Sequence, residues 1–560
     1  MTTQRKNNNL TTNNDLIKVK IFIDLGLVIS AAFLFAGSFP NIIFKNGVSF
    51  LAWFAYVPVL IVIRKYNILT CIGWGAIYGI LSYSLFNYWL GAFHPLAGFI
   101  TYSLYAIYLA VVFALFKLAE FFFTKHAYLV QWLIWLAYEY LRVKGFLGYA
   151  YGISGYSQWQ FIPLIQIAGL TGVWGVCAIV TFPSFWLAGF FQNKKDALCS
   201  SAVKYFLKNK IPAVIWLAAL AATLIYGFIN LNNYSAKIAA GDYVSARIAL
   251  IQHNTDPWEA SKAAHHWQKI EAYRKDLSIL KRLSDEALAA EPKTQLVVWP
   301  ETAFIPRIYW HTTYREDQES WAIVKELLDY LANNEVPFLI GNDDARMDSA
   351  RNRIDYNAAM LFENGVNTAT YHKIHLVPFT EHFPYRKKFP KLYKFLENAD
   401  THFWEKGGEE TVFEVSNFKF SSPICFEDTF GYLSRNFTRN GAEIFINMSN
   451  DAWSQSLSAQ KQHLSMAVFR TVENNRPMVR STVSGQTCVI DLTGRVKMET
   501  PAFRENFLNA EVPLIHKERT TLYTRYGDYL GIIFLTAAGL FLIYGAVRCT
   551  IRKRKREDTA

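Results

Sequence analysis

Three stretches hold the residue types of covalent acyl chemistry, and each follows a β-like run. Phe418–Phe430 reads FKFSSPICFEDTF, with Cys425 where the run gives way to a turn and with Glu427 and Asp428 just after it. A cysteine there has one exposed end, and neighbouring backbone N–H groups can face a developing oxyanion. By itself such a residue is ordinary packing, because cysteine is among the most buried types. Val297–Thr302 (VVWPET) places Glu301 after a proline that ends the strand and behind apolar Trp299. A carboxylate held in that setting tends to a raised pKa, as a general acid or base requires. Tyr371–Phe379 (YHKIHLVPF) sets Lys373 in an apolar run, with Glu381 in the following TEHFP. A buried ammonium is costly unless paired, and it can stabilise an oxyanion or a thiolate. The bland alternatives are a loop glutamate and a snorkelling lysine. Base, cation and nucleophile together fit an acyl-enzyme route without a histidine triad.

The elements that must position these residues fall in two unlike parts. The chain has 560 residues, with 52% hydrophobic, 16% aromatic and only 18% charged residues, below the ~25% charge usual for soluble domains. Residues 20–230 are almost uncharged, and 231–520 have soluble composition. Apolar runs at about 19–39, 48–63, 69–90, 97–118, 127–141, 161–191 and 211–230 predict seven transmembrane helices, and 529–547 predicts an eighth. The fifth run is marginal in length. With the N-terminus in the cytoplasm, the inside loops hold Arg64, Lys65, Lys117, Lys125, Lys194, Lys195, Lys204, Lys208 and Lys210, whereas the outside loops hold Lys45, Arg142 and Lys144. That is the positive-inside bias, and it places 231–520 outside with both termini cytoplasmic.

The expected domains are a disordered cytoplasmic tail (1–17), a membrane domain (18–230), an extracytoplasmic catalytic domain (231–522), a C-terminal transmembrane helix (523–548) and a basic tail (549–560). Strand-like runs at 246–252, 295–299, 337–341, 358–362, 411–420, 443–448 and 478–490 alternate with helical stretches such as 261–290 and 317–333. This alternation predicts a layered α/β sandwich. The net charge of +12 resides beside apolar runs, as in Arg548–Arg556, so it reads as attraction to acidic lipid and not to nucleic acid. The basic segment 385–394 is a solvated loop or a headgroup contact. Six cysteines without short spacings argue against a zinc cluster or disulfide framework. No cofactor or metal is expected.

The order WPE, YHK, ICFED resembles the Glu-Lys-Cys triad of the nitrilase (CN hydrolase) superfamily. VPFTEHFP (377–384), NMSNDAW (447–453), QHL (462–464), Glu473 with Arg476-Pro477, TVSG (482–485), EYLR (139–142), GYSQ (155–158) and TLYTRYGD (521–528) resemble the apolipoprotein N-acyltransferases more narrowly. The resemblance implies a nitrilase-like α-β-β-α sandwich inserted between seven transmembrane helices and one more, in a bacterial inner membrane with the catalytic domain periplasmic. It implies that Cys425 takes an acyl chain from a phospholipid, phosphatidylethanolamine being the expected donor. The resulting thioester then passes the chain to the α-amino group of a diacylglyceryl-cysteine at an apolipoprotein N-terminus. Glu301 is the implied base and Lys373 the stabiliser of the tetrahedral intermediate, with Glu381 and Glu427 supporting. Phe426 stands where many members have Tyr, and its backbone N–H can still serve the oxyanion. Trp258 and Trp453 are implied substrate contacts. The alternatives are a membrane-tethered amidase or nitrilase using the same triad on a small substrate, and a non-enzymatic membrane scaffold.

Overall fold

The computed structural model describes residues 2–558 except 94, 124, 192–204, 257–258, 398–402 and 515–519. Trp258 and the predicted inside-loop residues Lys194, Lys195 and Lys204 lie outside the described residues. The uncharged half folds as helices because a backbone without water must satisfy its own hydrogen bonds. These are α1 (Thr2–Ser38), α2 (Val57–Lys65), α3 (Ile68–Phe86), α4 (Tyr88–Phe93), α5 (Pro95–Phe122), α6 (Ala127–Leu141), α7 (Val173–Phe190) and α8 (Lys210–Ala239). Among the described residues, α1 through its part Lys18–Ser38, α3, α5, α7, α8 and the C-terminal helix are long and apolar enough to cross a membrane.

The second and fifth predicted runs differ from the expectation. Run 48–63 divides into a 3-10 turn (Ser49–Trp53) and nine-residue α2, which starts at Val57-Pro58. The side chains of Trp53 and Tyr56 are tied to Gln158 and Ser154 at 3.2 and 2.6 Å, which holds the turn against the neighbouring segment. Helix α6 has 15 residues, a rise of about 23 Å against a ~30 Å hydrocarbon core. Neither is of span length alone. Helices α3 and α5 pack backbone to backbone: a Cβ at Gly79 would lie 2.4 Å from the Tyr105 carbonyl oxygen, so only a small residue fits there.

The soluble half begins later than 231, because α8 continues to Ala239 before β1 (Val244–Gln252). The remaining strands are β2 (Leu296–Val298), β3 (Phe338–Met347), β4 (Arg353–Glu363), β5 (Val366–His372), β6 (Phe413–Val415), β7 (Phe418–Ser421), β8 (Ile444–Ser449), β9 (Met478–Thr482), β10 (Cys488–Ile490), β11 (Val496–Glu499) and β12 (Asn506–Leu514). They form two six-stranded sheets, β12-β1-β2-β3-β4-β5 and β11-β10-β9-β8-β7-β6. Runs 411–420 and 478–490, read as single strands, are antiparallel pairs. The sheets meet face to face, where the Ser481 hydroxyl donates to the carbonyls of Ile251 and Val298.

Helices α9 (His266–Ala290) and α10 (Gln318–Ala332) cover the first sheet with apolar faces such as Leu277, Leu280, Ile323 and Leu327. Helices α11 (Gly431–Arg439) and α12 (Leu457–Asn474) cover the second. The result is an α-β-β-α sandwich. The C-terminal helix α13 (Tyr529–Glu557) then packs on α6 and α5.

Helix α12 joins the two halves. Its polar side chains are buried because the membrane helices cover the face the sheet leaves open. Gln462 donates to the carbonyls of Pro40 and Phe86 at 2.8 and 3.0 Å and accepts from Trp89. Arg470 donates to the Tyr156 hydroxyl, and Glu473 accepts from the Val173 N–H.

Candidate active site

Strands β1, β2 and β3 run parallel, as do β7, β8 and β9, so their carboxyl ends gather at one edge of the sandwich. Strand β5 is antiparallel to β4, which is antiparallel to β3, so the end of β5 points the same way. Glu301 follows β2, Lys373 follows β5, and Cys425 follows β7. A Cβ at Gly341 on β3 would lie 2.1 Å from the Pro300 carbonyl, so its absence lets the Glu301 turn close on the sheet. Trp299 behind it is fully buried and donates to the Ser284 hydroxyl of α9.

Lys373 is fully buried, and its ammonium bridges Glu301 at 3.1 Å and Glu381 at 2.9 Å. The Glu301 oxygen facing Lys373 also accepts from Asn357 Nδ2, and its other oxygen accepts from the Asn450 N–H, both at 2.8 Å. Glu381 also accepts from the Val377 N–H. Burial would lower the Lys373 pKa, but Glu301 and Glu381 outweigh it and hold the ammonium well above its ordinary value. Burial raises the Glu381 carboxyl, and Lys373 opposes that rise.

Cys425 opens a 3-10 turn, Cys425–Thr429, and holds a left-handed φ of 50°. That conformation is uncommon for a residue with a Cβ, and surrounding contacts must maintain it. Burial and the neighbouring Glu301 push the Cys425 thiol well above its ordinary value, with Lys373 pulling the other way. At rest Cys425 is therefore a protonated thiol, held in the electrostatic reach of Glu301 and Lys373.

Glu427 connects the two sides of the site. It accepts from the Ile424 N–H at 2.8 Å, the Ile374 and His375 N–H groups at 2.8 and 2.9 Å, and the Tyr371 hydroxyl. The residues flanking Lys373 and the residue before Cys425 thus share one carboxylate. Burial pushes Glu427 up to about 7 against those backbone donors. Phe426 is buried against the rings of Phe430 and His375. Trp453 lies apart from the triad's hydrogen bonds, on the joint with the membrane half, where it meets Phe93 and Trp89 of α4 at ring distances of 4.8 and 5.5 Å.

Sequence reasoning assigned no role to Asn357, Asn450, Asp428, Asp451, His463 or Arg480. Asn450, Asp451 and His463 lie in the stretches NMSNDAW and QHL, so their segments were flagged while their functions were not.

Residues 247–518 match the Carbon-nitrogen hydrolase family, and residues 31–186 match the Apolipoprotein N-acyltransferase N-terminal domain. Apolipoprotein N-acyltransferase 1 of Treponema denticola is 43% identical over 534 residues, 92% of this chain and 95% of that protein. This chain belongs to the apolipoprotein N-acyltransferase family. Apolipoprotein N-acyltransferase 1 of Treponema pallidum is also 43% identical, over 94% of this chain and 96% of that protein. A solved structure of Saccharomyces cerevisiae Nit3, a member of branch 10 of the nitrilase superfamily, is 19% identical, covers 48% of this chain and 90% of its own, and has a TM-score of 0.33. In this member of the apolipoprotein N-acyltransferases, Glu301, Lys373, Glu381 and Cys425 all lie in the carbon-nitrogen hydrolase segment. Contacts such as Trp89 with Gln462 tie that segment to the N-terminal one.

Proposed function

We propose that Cys425 is the acyl-carrying nucleophile of lipoprotein N-acylation, with Glu301 as its base and Lys373 as the stabiliser of the tetrahedral intermediate. The observation that carries this reading is the buried bridge of Lys373 between Glu301 and Glu381, beside a thiol whose pKa all three charges influence. Glu301 takes the Cys425 proton, and the sulfur attacks the ester carbonyl of a phospholipid, with phosphatidylethanolamine as the donor. The oxyanion is met by the Lys373 ammonium and the Phe426 backbone N–H. The intermediate collapses with loss of the lysophospholipid alcohol, which takes the proton back. The neutral α-amine of a diacylglyceryl-cysteine then attacks the thioester and gives its proton to Glu301, which returns it to the departing sulfur, so that an amide forms and the Cys425 thiol and Glu301 carboxylate are restored. Glu381 holds Lys373, Glu427 holds the turn, and Trp453 with Trp258 contacts substrate.

Both substrates carry acyl chains, so the site belongs at a bilayer surface. The charge distribution supports seven spans before the catalytic domain and one after it, with that domain periplasmic and both termini cytoplasmic. Complementation of a strain depleted of its own N-acyltransferase tests the reading. The intact chain restores N-acylated lipoprotein and Cys425→Ala does not; restoration by Cys425→Ala refutes it.

A further inference from the structure

Behind the Cys425 turn lies a closed group of four charges from four elements: Asp428 of the turn, Asp451 after β8, His463 of α12 and Arg480 of β9. All four are buried. His463 Nε2 is 2.7 Å from Asp428 Oδ1, and its Nδ1 is 3.0 Å from Asp451 Oδ1. Arg480 pairs with the other oxygen of Asp428 and lies 3.6 Å from Asp451. Both ring nitrogens thus face carboxylate oxygens. A neutral imidazole has one N–H, and its remaining lone pair would point at a buried anion. The doubly protonated ring satisfies both carboxylate contacts at once, with Arg480 Nη2 3.4 Å from Nδ1 completing the cluster. Its charge also balances the set, two carboxylates against a guanidinium and an imidazolium.

The same Nε2 is 3.2 Å from the Cys425 carbonyl oxygen, which also accepts from Asn447 Nδ2 at 3.4 Å. These contacts hold the residue whose φ is left-handed. We propose that His463 is a positioning residue of the acyl transfer, a buried imidazolium that bridges Asp428 and Asp451 and holds Cys425 in the conformation that presents its thiol to Glu301 and Lys373. The groups facing it are Asp428 and the Cys425 carbonyl from the turn, Asp451 from the neighbouring turn, Arg480 from β9, and the Tyr151 ring from the membrane half at 6.4 Å. Burial and Arg480 lower the His463 pKa, the two carboxylates raise it, and the net position is about 9.

The inference rests on Cys425 being the nucleophile. Its test is the single-turnover rate of Cys425 thioester formation by the full chain in nanodiscs with phosphatidylethanolamine vesicles, followed by mass spectrometry across alkaline pH. This half-reaction involves no acceptor amine. The rate of the unaltered chain should fall as pH passes about 9. A folded His463→Gln should react ~10²-fold more slowly, as expected for a displaced reacting group, with unchanged lipid dependence and without that alkaline limb. Asp451→Asn, which removes one carboxylate at constant size, should move the limb to lower pH. Loss through Lys373 deprotonation lies higher and persists in every variant. A folded His463→Gln with the original rate or the original limb overturns the proposal, as does an Asp451→Asn limb that stays in place. If His463→Gln does not fold, the Asp451→Asn limb decides. Absence of thioester from the unaltered chain, matching Cys425→Ala, would instead overturn the nucleophile assignment.

Discussion

Replacing Glu427 by Gln should uncouple the two sides of the site while leaving its volume intact. Glu427 accepts from three backbone N–H groups and one hydroxyl, at 2.8–2.9 Å. A glutamine can keep its carbonyl oxygen on Ile374 and His375, which leaves its NH2 facing the Ile424 N–H. The Tyr371 hydroxyl can turn to accept, but the Ile424 donor loses its partner. An unsatisfied buried donor costs about 1–3 kcal/mol. The same change releases Ile424, the residue before Cys425, so the thiol gains freedom relative to Lys373. A misplacement of about 1 Å in a reacting group lowers a rate ~10²-fold. The assay is thermal unfolding of the detergent-solubilised protein alongside the rate of Cys425 acylation from phospholipid. A modest fall in Tm with a large fall in rate is expected. A Glu427→Gln protein with the original acylation rate would refute the idea that this carboxylate positions the nucleophile.

Other perturbations follow from the same contacts. Lys373→Met should slow alkylation of Cys425 by iodoacetamide at neutral pH several-fold, because losing the ammonium leaves burial and Glu301 to push the thiol further up; an unchanged alkylation rate contradicts the pairing. Gly79→Val should destabilise the membrane half by about 1–3 kcal/mol through overpacking against the Tyr105 carbonyl, seen as a lower Tm and yield, whereas Gly26→Val should not, because nothing lies within 4 Å of a Cβ there. The folded His463 pKa of about 9 lies above its ordinary 6.5. Its contribution to stability, on the order of 3 kcal/mol, is therefore fully present below 6.5 and is lost as pH rises through about 9. The unfolding midpoint should fall across that window, and His463→Gln should flatten the fall.

The grouping of Glu301, Lys373 and Cys425 was legible because these residues sit at strand ends, where local signals are strong. Pro300 stops a ladder before Glu301, and Ser-Ser-Pro stops another before Cys425. Asn357 and Asn450 reach Glu301 only through sheet pairing and the meeting of two sheets, which no local pattern records. His463 was hidden differently: its partners Asp428, Asp451 and Arg480 come from three other elements, and only the assembled fold brings them around one ring. Hydropathy located the apolar runs, but it did not reveal that 48–63 is built as a turn and a short helix, since a broken segment needs apolar side chains as much as a continuous helix does. Strand pairs such as β9 and β10 merged into one run because the link between them, Val483–Thr487, is itself buried.

The central claim is that Cys425 carries the acyl chain. Intact-protein and peptide mass spectrometry after exposure of the full chain to phosphatidylethanolamine vesicles measures it most directly. The account predicts an acyl mass on the peptide containing Cys425, sensitive to neutral hydroxylamine and discharged by a diacylglyceryl-cysteine peptide. Discharge of the chain to that peptide with Cys425 unmodified throughout, or by a Cys425→Ala protein, would contradict it.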